Sequence, residues 1–248
     1  MQVEVFDHTK QMAAAAAHAG AEALRTVIQR DGKAAVVFAS AASQIEILDA
    51  LLDAEGIDWS KVTAFHLDEY VGLPAEHPAS FRKFLRDRVL ARLPELAEFH
   101  FIEGDAPDVD TEARRVGKII QGVSVAVGFI GIGENGHLAF NDPPADFDTD
   151  EPFLIVKLDE ACRRQQIGEG WFPTLEDVPE SAISMSIRRI LKCRTLIITV
   201  PDARKAQAVR RAVEGAVGPM CPASILQNHA DARLFLDEGS ASLLGLCE

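Results

Sequence analysis

Asp68 and Glu69 stand side by side at the end of an apolar stretch, residues 62–67, and the chain turns soon after at Gly72 and Pro74. A carboxylate held against a carbon acid can remove a proton and give it back, so the pair is a candidate for general acid–base chemistry. A histidine able to exchange protons follows in VSVAVGFIGIGENGHLAFNDPP, residues 123–144. There Gly131, Gly133 and Gly136 bracket Glu134 and Asn135, His137 comes next, and Asp142 lies a short way on beside Asn141. Glycine tolerates positive φ, so a tight loop of this composition can present an imidazole and a carboxylate to one pocket. Alone, an Asp-Glu pair is an ordinary solvated turn and a glycine loop an ordinary turn. The recurrence of acid and base behind two apolar runs argues for a shared site.

Both runs read as strands. Residues 123–132 are almost continuously apolar, as expected of a parallel strand buried on both faces, and ligands in open α/β sheets sit outside the carboxyl ends of such strands. After a short opening strand, further strand-like runs fall near residues 34–39, 62–67, 99–102, 153–157, 182–187, 194–200 and 232–236. Helical patterns lie at residues 9–30, 43–55, 79–92, 108–121, 203–214 and 239–245, the first of them alanine-rich and stopped at Asp31-Gly32. This alternation predicts an α/β, Rossmann-like fold with a mostly parallel sheet and helices on both faces. Neither an internal repeat nor a low-complexity linker is visible, and 248 residues at 48% hydrophobic suffice for one full core. Residues 1–248 are therefore read as a single domain, with the polar stretch 142–152 as a loop.

Two places could hold an anion. The first strand-to-helix junction reads Ala39-Ser40-Ala41-Ala42-Ser43, and Ser43 with Glu46 has the spacing of a capping box. The free N–H groups of such a helix start bind anions readily. Asp202 reads as a second N-cap, which puts Lys205 in a first helical turn. The macrodipole disfavours a cation there, and a bound anion would offset that cost.

Three ordered signatures, DEYVGLPAEHPASF, GIGENGHLAFNDP and RKAQAVRRAVEG at residues 204–215, together with SILQNH ending at His229, resemble the glucosamine-6-phosphate deaminase (isomerase) family. That family shares a superfamily with the 6-phosphogluconolactonases and ribose-5-phosphate isomerases, and the resemblance spans residues 10–240. It implies an enzyme acting on a small-molecule amino-sugar phosphate. Ring opening, proton transfer from C2 to C1 and loss of ammonia would turn glucosamine 6-phosphate, or a close relative, into fructose 6-phosphate. By this resemblance Asp68 is the base at C2, His137 exchanges a proton with the ring oxygen, and Asp142 orients and charges His137. Asn135 stands where some members carry aspartate; it can hold an imidazole tautomer but adds no charge, which leaves the imidazolium to Asp142. Ser40, Ala41, Ala42, Ser43, Gly133 and Lys205 become substrate-binding residues, the serine loop and Lys205 serving the phosphate. Glu69 would support its loop or bind sugar hydroxyls.

Three departures from the family pattern carry consequences. Ala41 and Ala42 replace glycines of the phosphate loop, which hinders close backbone approach if those positions need positive φ. Gly170 precedes Trp171-Phe172 where relatives carry a phosphate-gripping arginine, so Arg163 or Arg164, a turn earlier, becomes the substitute. Residues 146–152 are strongly acidic where some hexameric relatives bind an activating N-acetylated sugar phosphate through basic residues, and this predicts no such activation. A homo-oligomer is compatible with the resemblance.

Other readings fit less of the chain. Residues 131–136 match the dinucleotide pattern GxGxxG, but that pattern needs a helix to open there, and Asn141, Pro143 and Pro144 break the chain. A 6-phosphogluconolactonase would share the histidine loop, yet its usual Asp-Glu-Arg and Thr-Ala-Ser-Leu-Phe-Pro patterns are replaced here by Asp68-Glu69-Tyr70 and residues 138–142. A sugar-phosphate sensor without turnover has no use for a base at C2. The net charge of −13 argues against a nucleic-acid partner, which needs a basic footprint. Cys162, Cys193, Cys221 and Cys247 show neither metal-type pairing nor a disulfide framework, and the expectation is reduced thiols in a cytoplasmic protein. No signal layout or membrane-length apolar window is present. His66, His77 and His137 lack ligand spacing, so neither metal nor cofactor is expected.

Overall fold

In the computed structural model, which describes residues 1–168 and 170–245, the chain builds two sheets. Its strands and helices run in the order β1 (Gln2–Phe6), α1 (Thr9–Asp31), β2 (Ala34–Phe38), α2 (Ile45–Leu52), β3 (Val62–His66), β4 (Asp68–Tyr70), α3 (Phe81–Arg88), β5 (Glu98–His100), α4 (Val109–Gln121) and β6 (Val127–Ile130). The second half adds β7 (Phe153–Lys157), α5 (Glu160–Gly168), β8 (Ser181–Met185), α6 (Ile187–Ile190), β9 (Thr195–Val200), α7 (Ala206–Glu214), β10 (Ala232–Asp237) and α8 (Glu238–Ala241). Glu169 and Cys247 lie outside the described residues.

The larger sheet is parallel throughout, in the order β1-β10-β9-β6-β2-β3-β5. Side chains alternate across a strand, and β2 shows the result. Val36 and Phe38 join a core with Met12, Leu24, Leu48 and Leu85 from α1, α2 and α3. Val37 joins the opposite core, with Val116 and Ile120 of α4 and Val209 of α7. Both faces are thus covered by helices, the expected α/β arrangement, and fully buried parallel strands need continuous apolar runs for that reason. Alanine-rich α1 follows from helix propensity and ends where Gly32, at φ 74°, donates its N–H to the Ile28 carbonyl.

The smaller sheet, β4-β8-β7, is antiparallel; β7 and β8 match the strand-like runs near 153–157 and 182–187, and only β4 has no counterpart in the periodicity. Asp68 and Glu69 are therefore not a loop after β3 but a strand in this second sheet, too short at three residues to show a period. Leu67 joins the two layers: its N–H donates to the Phe38 carbonyl at 3.1 Å and its carbonyl accepts from Met185 at 2.7 Å. Helix α5, over Glu160–Gly168, is a second unpredicted element. The apolar run 123–132 contributes only Val127–Ile130 to a strand, because its first residues close the turn after α4.

Alternation also separates the two acids. Glu69 is fully buried and anchors the start of α3, accepting from Ser80 Oγ at 2.8 Å, Arg82 N at 2.8 Å and Phe81 N at 3.2 Å. Arg82, itself 1% exposed, adds its guanidinium at 3.4 Å. Removing Glu69 leaves Arg82 paired with Glu103 and Asp105 but orphans the buried donors of residues 80–82. Glu69→Ala should therefore lose at least about 1–3 kcal/mol in urea unfolding, whereas Asp68→Asn should leave the midpoint unchanged or higher.

Candidate active site

In the large sheet the chain runs outward from β2 through β3 to β5, then returns to β6 on the other side of β2. The loops after β2 and β6 diverge at this switch point and open a crevice at the carboxyl ends of the strands. An open cleft lies there, lined by both loops, and such concave switch-point sites are where small molecules bind. Its walls include Ser40, Ala41, Ser43 and Gln44 after β2, Asp68 of β4, Gly133 and His137 after β6, Gln165 and Gln166 of α5, and Lys205.

The loop after β2 is built differently from the capping-box reading. Ala41, at φ −138°, precedes a short 3-10 turn over Ala42–Gln44, and Ser43 caps nothing. Neither Ala41 nor Ala42 takes positive φ, so alanine in place of glycine carries no backbone penalty here. Ser40 is 4% exposed, and its buried hydroxyl has no hydrogen-bond partner in the protein, although its residue lines the cleft. Gln44 ties this loop to β9, taking the Thr199 hydroxyl at 3.2 Å and donating to the Thr199 carbonyl at 3.4 Å. Ala42 does not line the cleft.

On the other wall the glycine loop folds onto itself, Gly133 N–H to the His137 carbonyl and Gly136 N–H to the Gly133 carbonyl, each 3.0 Å. Of the three glycines only Gly136 takes positive φ, at 92°. Gly133 is needed for space: a Cβ there would sit 2.1 Å from His137 Nε2. His137 Nδ1 meets Asp142 Oδ1 at 3.0 Å, and Asn135 donates its amide to the same oxygen at 2.9 Å. The Asn135 carbonyl oxygen accepts from His137 N at 2.9 Å, so the asparagine grips the loop and the carboxylate rather than the ring, correcting the expected ring contact. Burial pushes the Asp142 carboxyl up, but the hydrogen bond and charge of His137 and the Asn135 amide outweigh it and hold it below the usual carboxylate range. An ionised Asp142 only accepts, which assigns a hydrogen to His137 Nδ1.

Asp68 is the opposite case. Burial, then the charge of neighbouring Glu69, drives its carboxyl well above the usual carboxylate range. A carboxyl in that position can carry a proton near neutrality. Glu69 is absent from the cleft wall, so of its two expected roles only support of the loop matches the geometry. Lys205 is 6% exposed on a 3-10 turn capped by Asp202, as expected, and its amine lies 3.8 Å from Glu134.

Neither arginine proposed as a phosphate ligand reaches the cleft. Arg163 donates to the carbonyls of Leu175 and Val178, and Arg164 pairs with Glu160 on the outside of α5. The neighbouring Gln165 and Gln166 line the cleft instead. Gln165 accepts from Glu134 N at 3.3 Å, and Gln166 meets the Tyr70 hydroxyl at 2.7 Å. Gln44 and these two amides belong to no motif in the sequence; their only signal is position beside Ser43 and beside the arginines. No described helix is long and apolar enough to cross a membrane.

A family model described as glucosamine-6-phosphate isomerases/6-phosphogluconolactonase matches residues 7–235. A curated glucosamine-6-phosphate deaminase from Exiguobacterium sp. (strain ATCC BAA-1283 / AT1b) is 37% identical over 76% of this chain and 72% of its own length. A protein of the same name from Bacillus thuringiensis (strain Al Hakam) is 33% identical over 92% of this chain and 84% of its own. Among solved structures, a monomeric glucosamine-6-phosphate deaminase superposes with a TM-score of 0.88 at 26% identity, covering 98% of this chain and 100% of the other. A 6-phosphogluconolactonase from Shewanella baltica OS155 has a TM-score of 0.79 at 19% identity, over 96% of this chain and 97% of the other, a likeness of fold.

The close packing of His137 on Gly133 yields a direct test. A proton NMR spectrum should contain a downfield His137 Nδ1–H resonance that disappears in Asp142→Ala. It should shift or broaden in Gly133→Ala, where the added methyl group must displace the ring.

Proposed function

The chain belongs to the glucosamine-6-phosphate isomerase and 6-phosphogluconolactonase family, and we propose that within it the protein is a glucosamine-6-phosphate deaminase. It takes glucosamine 6-phosphate and water to fructose 6-phosphate and ammonia. The observation that carries this reading is the pairing, across one cleft, of a buried Asp68 with a His137 held by Asp142. Relatives at 33–37% identity bear the deaminase name, whereas the Shewanella lactonase is 19% identical and likens in fold.

In this reading His137 Nε2, free of the Asp142 contact, exchanges a proton with the ring oxygen as the sugar opens. Asp142 stabilises the imidazolium that forms. Asp68 then removes the C2 proton and returns it at C1, a transfer that burial favours by bringing the carboxyl's affinity for protons closer to that of the substrate carbon. Water adds at C2 as ammonia leaves. Ser40, Ser43 and Lys205 receive the phosphate, with the Ser40 hydroxyl as a ready donor. Gln165 and Gln166 supply neutral amides where a bidentate arginine contact is missing. A cytoplasmic setting goes with this reading, since Cys162, Cys193 and Cys221 are free thiols.

Ammonia release from glucosamine 6-phosphate is the test. It should require the 6-phosphate and fall about 10²–10⁴-fold in Asp68→Asn; absence of release from the native protein would reject the reading. Lys205→Ala should mainly raise KM, by roughly tenfold to a hundredfold, the range of one charge-assisted contact. The pH dependence follows from the raised Asp68 carboxyl. The base works only when ionised, so kcat/KM should climb with pH along a limb lying above the ordinary carboxylate range, and Asp68→Asn should lack that limb.

No activation by N-acetylglucosamine 6-phosphate is expected. Asp146 accepts the N–H groups of Asp148 and Thr149, and Arg188 is engaged by Asp150 at 2.9 Å. A saturation curve shifted by that compound would contradict this.

A further inference from the structure

His137 and Asp142 have a third neighbour that the deamination reading does not use. Cys162, in the first turn of α5, is 1% exposed, and its sulfur belongs to a cluster with one nitrogen of His137 and one carboxylate oxygen of Asp142. These three atoms lie within 4.8 Å of one another. Asp142 Oδ1 is occupied by His137 and Asn135, whereas buried Oδ2 has no well-formed hydrogen bond among the described residues and only the Cys162 thiol and the Asp159 N–H as further neighbours of the carboxylate. A buried carboxylate oxygen left unpaired is costly unless a cation or donor meets it. Access is short: Gln166, one turn along α5 from Cys162, lines the cleft, as does His137.

We propose that His137, Asp142 and Cys162 form a binding site for a soft divalent cation of the zinc class, and that its occupation inhibits the enzyme. One imidazole nitrogen, one carboxylate oxygen and one sulfur, with a fourth position left for water, match the ligands and open tetrahedral geometry that zinc accepts. Sulfur and imidazole select zinc, cobalt or cadmium over magnesium, which demands oxygen ligands. On binding, the thiol hydrogen leaves to solvent as a proton and sulfur takes its place on the metal. The His137 hydrogen moves from Nδ1 to Nε2, so one proton is released per metal. His137 and Asp142 are then held by the cation and cannot serve ring opening. The histidine and aspartate come from the loop after β6 and the cysteine from α5, which explains why no ligand spacing is visible in the sequence.

The test uses the full chain, freed of metal by a chelator and titrated with Co²⁺. The expected result is one equivalent bound with a near-ultraviolet sulfur-to-cobalt charge-transfer band, displaced by Zn²⁺ and indifferent to Mg²⁺. Cys162→Ser should lose the band and weaken Zn²⁺ binding by at least about tenfold, since even partners outside the ligand shell are worth that much. Its ammonia release without metal should stay near the native rate, while inhibition by Zn²⁺ is relieved by a similar factor. X-ray absorption of the Zn²⁺-loaded native protein, which needs no variant, should contain a sulfur neighbour at about 2.3 Å. A shell of nitrogen and oxygen alone, or Zn²⁺ binding unchanged in Cys162→Ser, would overturn the site. Failure of ammonia release with Co²⁺ binding intact would reject the deaminase reading and leave the metal site standing.

Discussion

The backbone of Leu67 is bonded to both sheets at once, to Phe38 in the parallel layer and to Met185 in the antiparallel one. That double anchorage fixes how the next two residues divide. Successive side chains of a strand point to opposite faces, so Asp68 reaches the cleft wall while Glu69 turns to the start of α3. The division is stable because Glu69 has Arg82 and three donors from residues 80–82 around it. A hydrogen-bonded acid, itself pushed up by burial, is thus set directly beside Asp68. Burial and the charge next door then raise the proton affinity of Asp68 without any cation being spent on it.

The opposite wall obeys a packing constraint. Gly133 has no room for a side chain because the His137 ring lies over it, and Asp142 meets the ring from the other side. Asn135 adds rigidity by bonding both the loop backbone and Asp142. The two walls thus hold carboxyl groups with contrary proton affinities, Asp68 raised and Asp142 lowered. Such divergence separates a group that exchanges protons from one that stays charged.

Much of the parallel layer was legible in the sequence because its strands are buried on both faces and leave unbroken apolar runs such as Ala34–Phe38. The antiparallel layer was legible in β7 and β8, which match the runs near 153–157 and 182–187, but not in β4. Asp68–Tyr70 is too short for alternation to register, and its buried polar residues read as a turn. At the site, Asp68, His137 and Lys205 were found through residue type and motif, and all three line the cleft. Side-chain direction is what sequence does not carry: Ser43 caps nothing, Asn135 grips the loop rather than the ring, and Arg163 binds two carbonyls rather than the cleft. Gln165 and Gln166, from the unpredicted α5, occupy the wall where an arginine was sought. The proximity of Cys162 to His137 is a tertiary fact with no spacing to announce it.

In the proposed reaction one buried carboxyl group, Asp68, carries hydrogen between C2 and C1. Glucosamine 6-phosphate deuterated at C2 tests it most directly, with the product's C1 read by NMR after partial turnover in ordinary water. Shielded transfer by Asp68 predicts that a measurable share of the deuterium arrives at C1. Product whose C1 hydrogen comes entirely from solvent would contradict the account.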